Sequence, residues 1–498
     1  MNYEKGCSMS ENNIIGRQAE KVILQRLINS DYSEFLAVYG RRRVGKTYLI
    51  TEFFEDKGVL LEITGSPDAS KELHLSRFSV ELSHTFSLKK ESCDFSNWND
   101  AFLSLIEALD CYHSQKPDEK IILFFDEIPW LDRNKSGFLS ALDYCWNKFL
   151  SKKKYNYILT VICGSAASWM IKRVVNNKGG LHNRLTETIN LAPFSLSETK
   201  TYLESRNVTL ENKQIVEIYM AFGGIPAYLS HVLPGLSSSQ IINEVCFTKG
   251  RFLNEEFHRL YSSLFKNYHN HVKIIRSLAD SPKGLTRGEL LKKAALSTGG
   301  EGSVVLQELK ESGFISSYST FKKKSRSCFY RLTDEYSLFY LKWIEPASLT
   351  DSIDPNYWLK MSQRQSWLSW AGYAFENICL KHIQEIKLSL GISGVLTTES
   401  QWEYKPPAQT DENGVQVDLI IARADKTINL CEIKFSKDEF SITPEYKKKL
   451  EYKKSLFRQK TKCKDLLLTT MITTYGVKEN QNYLGTVDSQ RNMDVLFD

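Results

Sequence analysis

Gly40-Arg41-Arg42-Arg43-Val44-Gly45-Lys46-Thr47 has the spacing G-x-x-x-x-G-K-[ST], a loop that wraps phosphate in backbone N–H groups. Glycines at 40 and 45 admit backbone turns that a side chain blocks. Lys46 is placed to reach the β- and γ-phosphates, and the Thr47 hydroxyl to hold Mg²⁺. That chemistry assigns Gly40, Arg41, Arg42, Arg43, Val44, Gly45, Lys46 and Thr47 to a bound nucleotide. Asp126-Glu127 supplies the acids: Asp126 for the Mg²⁺ shell, Glu127 to polarise the attacking water. Acids after a strand also favour helix N-caps, but the upstream loop favours catalysis. Ser165 either senses the γ-phosphate or caps a helix. Arg184 either stabilises phosphate charge, in cis or in trans, or forms a plain ion pair.

These groups need a scaffold. Phe35-Leu36-Ala37-Val38-Tyr39 reads as a buried strand before the loop, and residues 48–54 as a helix after it. Strand, glycine loop, helix aims a helix N-terminus at phosphate. Ile121–Phe125 and Tyr157–Cys163 are unbroken apolar runs of the kind buried on both faces of a parallel sheet. Acids at the carboxyl ends of such strands stand where open α/β sheets bind ligands. An amphipathic helix is expected over residues 20–28, and helices over 196–265, with a start at Ser197-Glu198 and an amphipathic stretch Gln214–Met220. A helical lid suits that place.

A second constellation lies near the C-terminus. Val415–Ala422 and Thr427–Phe435 read as paired strands carrying Asp418, Glu432 and Lys434, and Gly372–Leu380 as a helix carrying Glu376. Residues two apart on a strand share a face, so Glu432 and Lys434 point the same way. Glu376, Asp418 and Glu432 are candidate Mg²⁺ ligands, with Lys434 steadying a water or a phosphate. The bland alternative is a sheet with solvated acids. A helix rich in Lys and Tyr follows from Glu445.

Between the two, residues 266–345 read as three helices and a hairpin. Thr286 and Glu289 form a capping box, Ser303 caps the third helix and Gly313 stops it. Phe314-Ile315 pairs with Phe329–Leu332, with Lys322–Lys324 and Arg326 at the tip. This is a winged helix-turn-helix. Its third helix balances Gln307, Glu308, Lys310 and Glu311, which favours protein contact or internal packing over base reading in DNA.

The 498 residues call for several domains, and 42% hydrophobic content supplies their cores. A net charge of +6 permits nucleic-acid binding without arguing for it. Ten cysteines at irregular spacing suit reduced, buried thiols and a cytoplasmic protein, not a zinc site. Residues 1–13 lack the apolar core of a secretory signal. No apolar run approaches the roughly 18 residues of a membrane span.

In order, Ile15-Gly16-Arg17, the loop at 40–47, Phe125-Asp126-Glu127, Cys163-Gly164-Ser165 and Leu191-Ala192-Pro193-Phe194 resemble the archaeal-type P-loop ATPase family, of the AAA+/STAND-like ATPases. Gly223-Gly224-Ile225-Pro226 resembles the Gly-x-Pro element that ends the STAND lid. The resemblance implies ATP and Mg²⁺, an ATPase cycle, and Arg17 and Pro226 beside the nucleotide. Asp418, Glu432 and Lys434 follow the D-(x)n-E-x-K pattern of PD-(D/E)XK nucleases, and Glu376 fits their preceding helix acid. Members of the ATPase family often carry a C-terminal domain of unknown function with this signature, and Leu332–Tyr340 resembles its start.

The expected fold is α/β: a flexible N-terminus (1–12), a P-loop parallel-sheet core (13–195), a helical lid (196–265), a winged helix-turn-helix (266–345) and an α/β restriction-endonuclease-like domain (346–498). The expected activity is a nucleotide-driven switch, binding ATP or ADP, that controls a nuclease-like domain acting on or binding nucleic acid. Two alternatives stand beside it. One is a STAND-like signalling or defence scaffold that assembles with itself or a protein partner; the other is an ATP-responsive winged-helix DNA-binding regulator.

Overall fold

The computed structural model describes residues 14–88, 95–133, 136–176, 181–248, 250, 252–322, 328–348, 354–407 and 413–498. The expected flexible N-terminus, and Lys323, Lys324 and Arg326 of the hairpin tip, lie outside them. The chain forms two compact units, Met1–Pro193 and Phe194–Asp498.

The first unit is a five-stranded parallel sheet flanked by helices. It opens with helix α1 (Gln18–Ile28), strand β1 (Glu34–Tyr39), helix α2 (Lys46–Phe54) and strand β2 (Val59–Thr64). Helices α3 (Lys71–Phe86) and α4 (Trp98–Gln115) follow, then strands β3 (Ile121–Asp126), β4 (Ile158–Gly164) and β5 (Glu187–Asn190). The strand order is β2-β3-β4-β1-β5. Every residue of β3 and β4 is buried, as unbroken apolar runs demand of central parallel strands. Phe78, Trp98, Phe102, Phe125 and Phe138 pack edge to face or tilted beneath the sheet. The order matters: β4 lies between β1 and β3, so its end separates the glycine loop from the acids.

The second unit begins with helices. The first, Leu196–Ser205, is capped by Ser195 with Glu198 completing the box, so the start expected at Ser197-Glu198 moves two residues back. Gln214–Met220 falls in the helix Asn212–Phe222. Three further helices, Tyr268–Ala279, Arg287–Lys293 and Gly300–Glu311, pack with strands β6 (Leu285–Thr286), β7 (Ile315–Ser319) and β8 (Cys328–Leu332) in the order β6-β8-β7. Thr286 caps as expected, with Glu289 closing its box. Ser303 does not: the third helix starts earlier, from Gly299, and the Ser303 hydroxyl bonds back to Gly299 O. Gly313 follows the helix at φ +74°, the left-handed turn that stops it.

The C-terminal sheet is mixed. Strands β9 (Thr397–Tyr404), β10 (Val415–Arg423) and β11 (Thr427–Lys434) run antiparallel; β12 (Leu466–Thr473) and β13 (Ser489–Asn492) add parallel to β11, in the order β13-β12-β11-β10-β9. The helix Gln365–Lys381 precedes this sheet, and the lysine-rich helix Pro444–Thr461 lies between β11 and β12. Cys163, Cys379 and Cys431 are buried free thiols. Among the described residues no helix is long and apolar enough to cross a membrane.

Candidate functional site

The glycine loop leaves β1 and enters α2. Gly40 has φ +151°, and a Cβ there would stand 2.3 Å from Leu191 O, so only glycine fits. Gly45, at φ +89°, caps α2. Arg43 is also left-handed, at φ 71°. Lys46 is buried and donates to Gly40 O at 3.2 Å, Arg41 O at 3.0 Å and Ser165 Oγ at 3.2 Å. Arg41 is buried, Arg42 exposed, and Val44 packs inward.

The acids arrive on β3. Thr47 Oγ1 donates to Asp126 Oδ2 at 2.6 Å, bringing together two hard oxygen donors of the kind Mg²⁺ takes beside phosphates. The other Asp126 oxygen accepts the Glu127 N–H at 2.8 Å. Glu127 sits at φ 49°, a backbone conformation that costs a non-glycine residue about 1–3 kcal/mol. Its carboxylate accepts the Ser165 hydroxyl and, at 3.3 Å, the Ser165 N–H. Ser165, at the end of β4, thus accepts from Lys46 and donates to Glu127. Its side chain caps no helix: the following helix takes Ala166 as N-cap with no side-chain bond.

Two other expected residues stand differently. Arg17, buried at the head of α1, donates to Ala192 O at 2.7 Å and Val44 O at 3.2 Å, which braces the loop from outside. Arg184 is exposed, its backbone N–H bonded to Leu181 O. Pro226 belongs to the second unit, where it opens the helix Pro226–Leu229. The preceding Gly224 lies so close to Phe194 that a Cβ would stand 1.9 Å from Phe194 O.

In the second unit the four C-terminal residues are gathered. Asp418 and Glu432 are buried on adjacent strands. Lys434 Nζ lies 2.8 Å from Glu432 Oε1 and 3.9 Å from Asp418 Oδ2. Glu376 reaches in from the helix Gln365–Lys381. Burial, then the neighbouring Asp418 charge, pushes its carboxyl up to about 8. Burial also raises Asp418, with Glu432 adding to it. Glu432 goes the other way: burial works against its charge, but Lys434 and Lys453 outweigh it and hold the carboxyl at about 2. The solvated-sheet alternative is therefore wrong, because these acids face the interior.

Three partners were not legible in the sequence. Lys453 Nζ bonds Glu432 Oε2 at 2.7 Å, and the Tyr446 hydroxyl bonds Glu432 Oε1 at 2.8 Å. They are seven residues, about two turns, apart on one helix face, a spacing that could have flagged them. Arg331 on β8 sits 3.5 Å from Glu376 Oε2. Among the described residues no three His, Cys, Asp or Glu side chains already form a metal-holding group. The donors are all oxygen, which suits Mg²⁺, but internal cations hold them.

Residues 15–232 match the model of an ATPase domain predominantly from Archaea. An uncharacterized protein of Methanocaldococcus jannaschii is 24% identical over 426 residues, covering 84% of this chain and 87% of that protein. Among solved structures, a Walker-type ATPase of Pyrococcus abyssi is similar with a TM-score of 0.47 at 17% identity, over 67% of this chain and 97% of that one. The ORC2 protein of Aeropyrum pernix, in ADPNP and ADP complexes, is similar with a TM-score of 0.45 at 15% identity, over 71% and 98%. The family match covers the glycine loop, both acids and Ser165, and the parallel sheet holds them in one place. Residues 15–232 are a P-loop ATPase domain of the family found predominantly in Archaea.

Proposed function

We propose that this protein is a nucleotide-driven switch in which ATP binding and hydrolysis in the first unit control a nuclease-like C-terminal domain that acts on or binds nucleic acid. The observation that carries the ATPase half is the convergence of Lys46, Thr47, Asp126, Glu127 and Ser165 at the carboxyl ends of three adjacent parallel strands. In this reading the residues of 40–47 cradle the phosphates of ATP, and Thr47 and Asp126 hold Mg²⁺. Glu127 orients the attacking water, Ser165 reports the γ-phosphate, and Arg184 supplies charge from an exposed position. Arg17 and Pro226 act near the nucleotide through the loop wall and the lid. The Mg²⁺ would supply Lewis-acid stabilisation of the phosphate charge.

The helices of 196–265 serve as the lid and residues 266–345 as a winged helix that passes the nucleotide state on. The buried Asp418, Glu432, Lys434 and Glu376 cluster supports the PD-(D/E)XK reading of 346–498. There the three acids would hold Mg²⁺ and Lys434 would steady a water or a phosphate. Incubating the full chain with mixed DNA and RNA, with and without ATP and Mg²⁺, tests this half. Mg²⁺-dependent cleavage lost in Asp418→Ala with Lys434→Ala supports it; cleavage that survives both changes assigns it elsewhere.

One observation favours a second reading. Both oxygens of Glu432 are already taken by Lys434, Lys453 and Tyr446. A C-terminal domain built around that ion cluster would act as a non-catalytic scaffold, with the ATPase driving assembly of a homo-oligomer or a partner complex. Nucleotide-dependent assembly without cleavage selects this reading.

A further inference from the structure

The acids of the C-terminal cluster are matched by cations from three different places. Lys434 shares strand β11 with Glu432, Lys453 comes from the helix Pro444–Thr461, and Arg331 comes from hairpin strand β8. Three carboxylates face three cations, so the cluster is neutral without any metal. These cations are not equivalent. Lys434 lies among the pattern residues themselves. Lys453 hangs on a flexible stem from a solvent-facing helix, its side chain 13% exposed, and can swing outward.

Arg331 has no such freedom. Its side chain is 1% exposed, its Nη1 lies 3.5 Å from Glu376 Oε2, and its Nε and Nη2 have no hydrogen-bond partner among the described residues. Guanidinium offers five donors in a rigid fork and stays charged, so a buried arginine with two unmatched nitrogens is held by its strand, not by an optimal partner set. That strand is tied to the C-terminal domain at several points. Asn377, one residue from Glu376, donates to Leu332 O at 3.1 Å, one residue from Arg331. At the far end of the hairpin, the Phe321 N–H bonds Gln401 O at 2.9 Å beside β9. The position of Arg331 against Glu376 is therefore set by the seating of the hairpin.

We propose that Arg331 is an internal counter-cation, delivered by the hairpin to the Glu376–Asp418–Glu432 cluster, that competes with a divalent cation for those carboxylates. The inference rests on the reading of the cluster as a metal site. It deepens that reading by giving the hairpin a control: withdrawing Arg331 opens the acids to metal, and seating it closes them. An added divalent ion meets a neutral buried cluster while Arg331 is in place, and a net negative one once it is gone.

The test is Mn²⁺ binding to the nucleotide-free full chain, read by the electron paramagnetic resonance signal of free Mn²⁺. The site is defined as the binding lost in Asp418→Asn with Glu432→Gln. Arg331→Met is expected to tighten that binding by roughly tenfold or more, because one competing charge is removed. In a Glu376→Gln background the gain should vanish. Unchanged or weaker binding in a folded Arg331→Met protein overturns the proposal while leaving the metal site standing. Binding that the Asp418/Glu432 pair does not affect, or no binding at all, overturns the metal reading and the proposal together. If Arg331→Met does not fold, Arg331→Lys keeps the charge but shortens its reach to Glu376. Tightening in that variant supports the proposal, and its absence overturns it.

Discussion

The Lys46 ammonium donates to Ser165 Oγ at 3.2 Å, although the two residues are 119 positions apart in the chain. The bond exists because β4 lies between β1, which launches the glycine loop, and β3, which delivers the acids. The same serine hydroxyl bonds Glu127. One side chain thus touches both the phosphate-reaching lysine and the water-orienting acid.

Ser165→Ala removes that link without disturbing the loop. We expect kcat for ATP hydrolysis to fall about tenfold or more, the worth of one or two net hydrogen bonds, while nucleotide affinity changes little. Steady-state kinetics with a separate binding titration checks this. A loss confined to affinity would assign Ser165 to binding alone.

Gly40→Ala places a Cβ 2.3 Å from Leu191 O at a backbone angle that L-residues rarely adopt. The strand–loop junction must then shift, and a loss of more than about 3 kcal/mol is expected, with nucleotide binding abolished. Thermal melting with and without ATP measures it. A melting temperature within a few degrees of wild type would show that the loop yields more easily than its packing implies.

Stability should fall as pH drops below neutral. His74 Nε2 accepts the Ser66 N–H, and His382 Nε2 accepts the Leu196 N–H, so both rings must be neutral to keep those bonds. Burial holds both imidazoles below the ordinary value of 6.5; Arg77 adds to the effect at His74, while the Ile378 carbonyl opposes it at His382. A depressed folded value means that the unfolded chain binds protons first. The stabilisation is therefore complete above 6.5 and is lost as pH falls through the folded values. Melting curves from about pH 7.5 down to about pH 5.5 should show the drop, and His74→Gln with His382→Gln should shrink it. An undiminished drop in the double variant would place the titration elsewhere.

Glu432→Gln leaves Lys434 and Lys453 buried without their shared carboxylate. Breaking a buried ion pair from one side costs about 3–5 kcal/mol, and adding Lys453→Met should recover part of the loss. Denaturant melts of the single and double variants measure the coupling. Additive losses would show that the two groups stabilise the fold independently.

The parts of this fold that were legible in the sequence are those whose local signal is strong. β1, β3 and β4 are pure apolar runs, and the loop at 40–47 has fixed spacing, so both the elements and the residues they carry could be read off. β2 and β9 could not. Val59–Thr64 carries Glu62 among its apolar residues, and Thr397–Tyr404 is mostly polar, because edge strands face solvent on one side. The helix start at Ser195 was misplaced because two serines precede Glu198 and only geometry chooses between them. Ser303 was read as a cap because the glycines ahead of it argue against helix, yet Gly299–Gly302 wind into the first turn. Arg331 stayed hidden for another reason. A strand arginine between aromatic neighbours looks solvated until tertiary packing seats it 45 positions away against Glu376.

ATP turnover by the full chain in Mg²⁺ is the most direct measure of the central claim, with Lys46→Ala and Glu127→Gln beside the wild type. The expected result is hydrolysis by the wild type and a loss of about a hundredfold or more in each variant. In Lys46→Ala the loss comes from missing phosphate contacts, and in Glu127→Gln from a water left without its base. Equal hydrolysis by all three proteins would contradict the account.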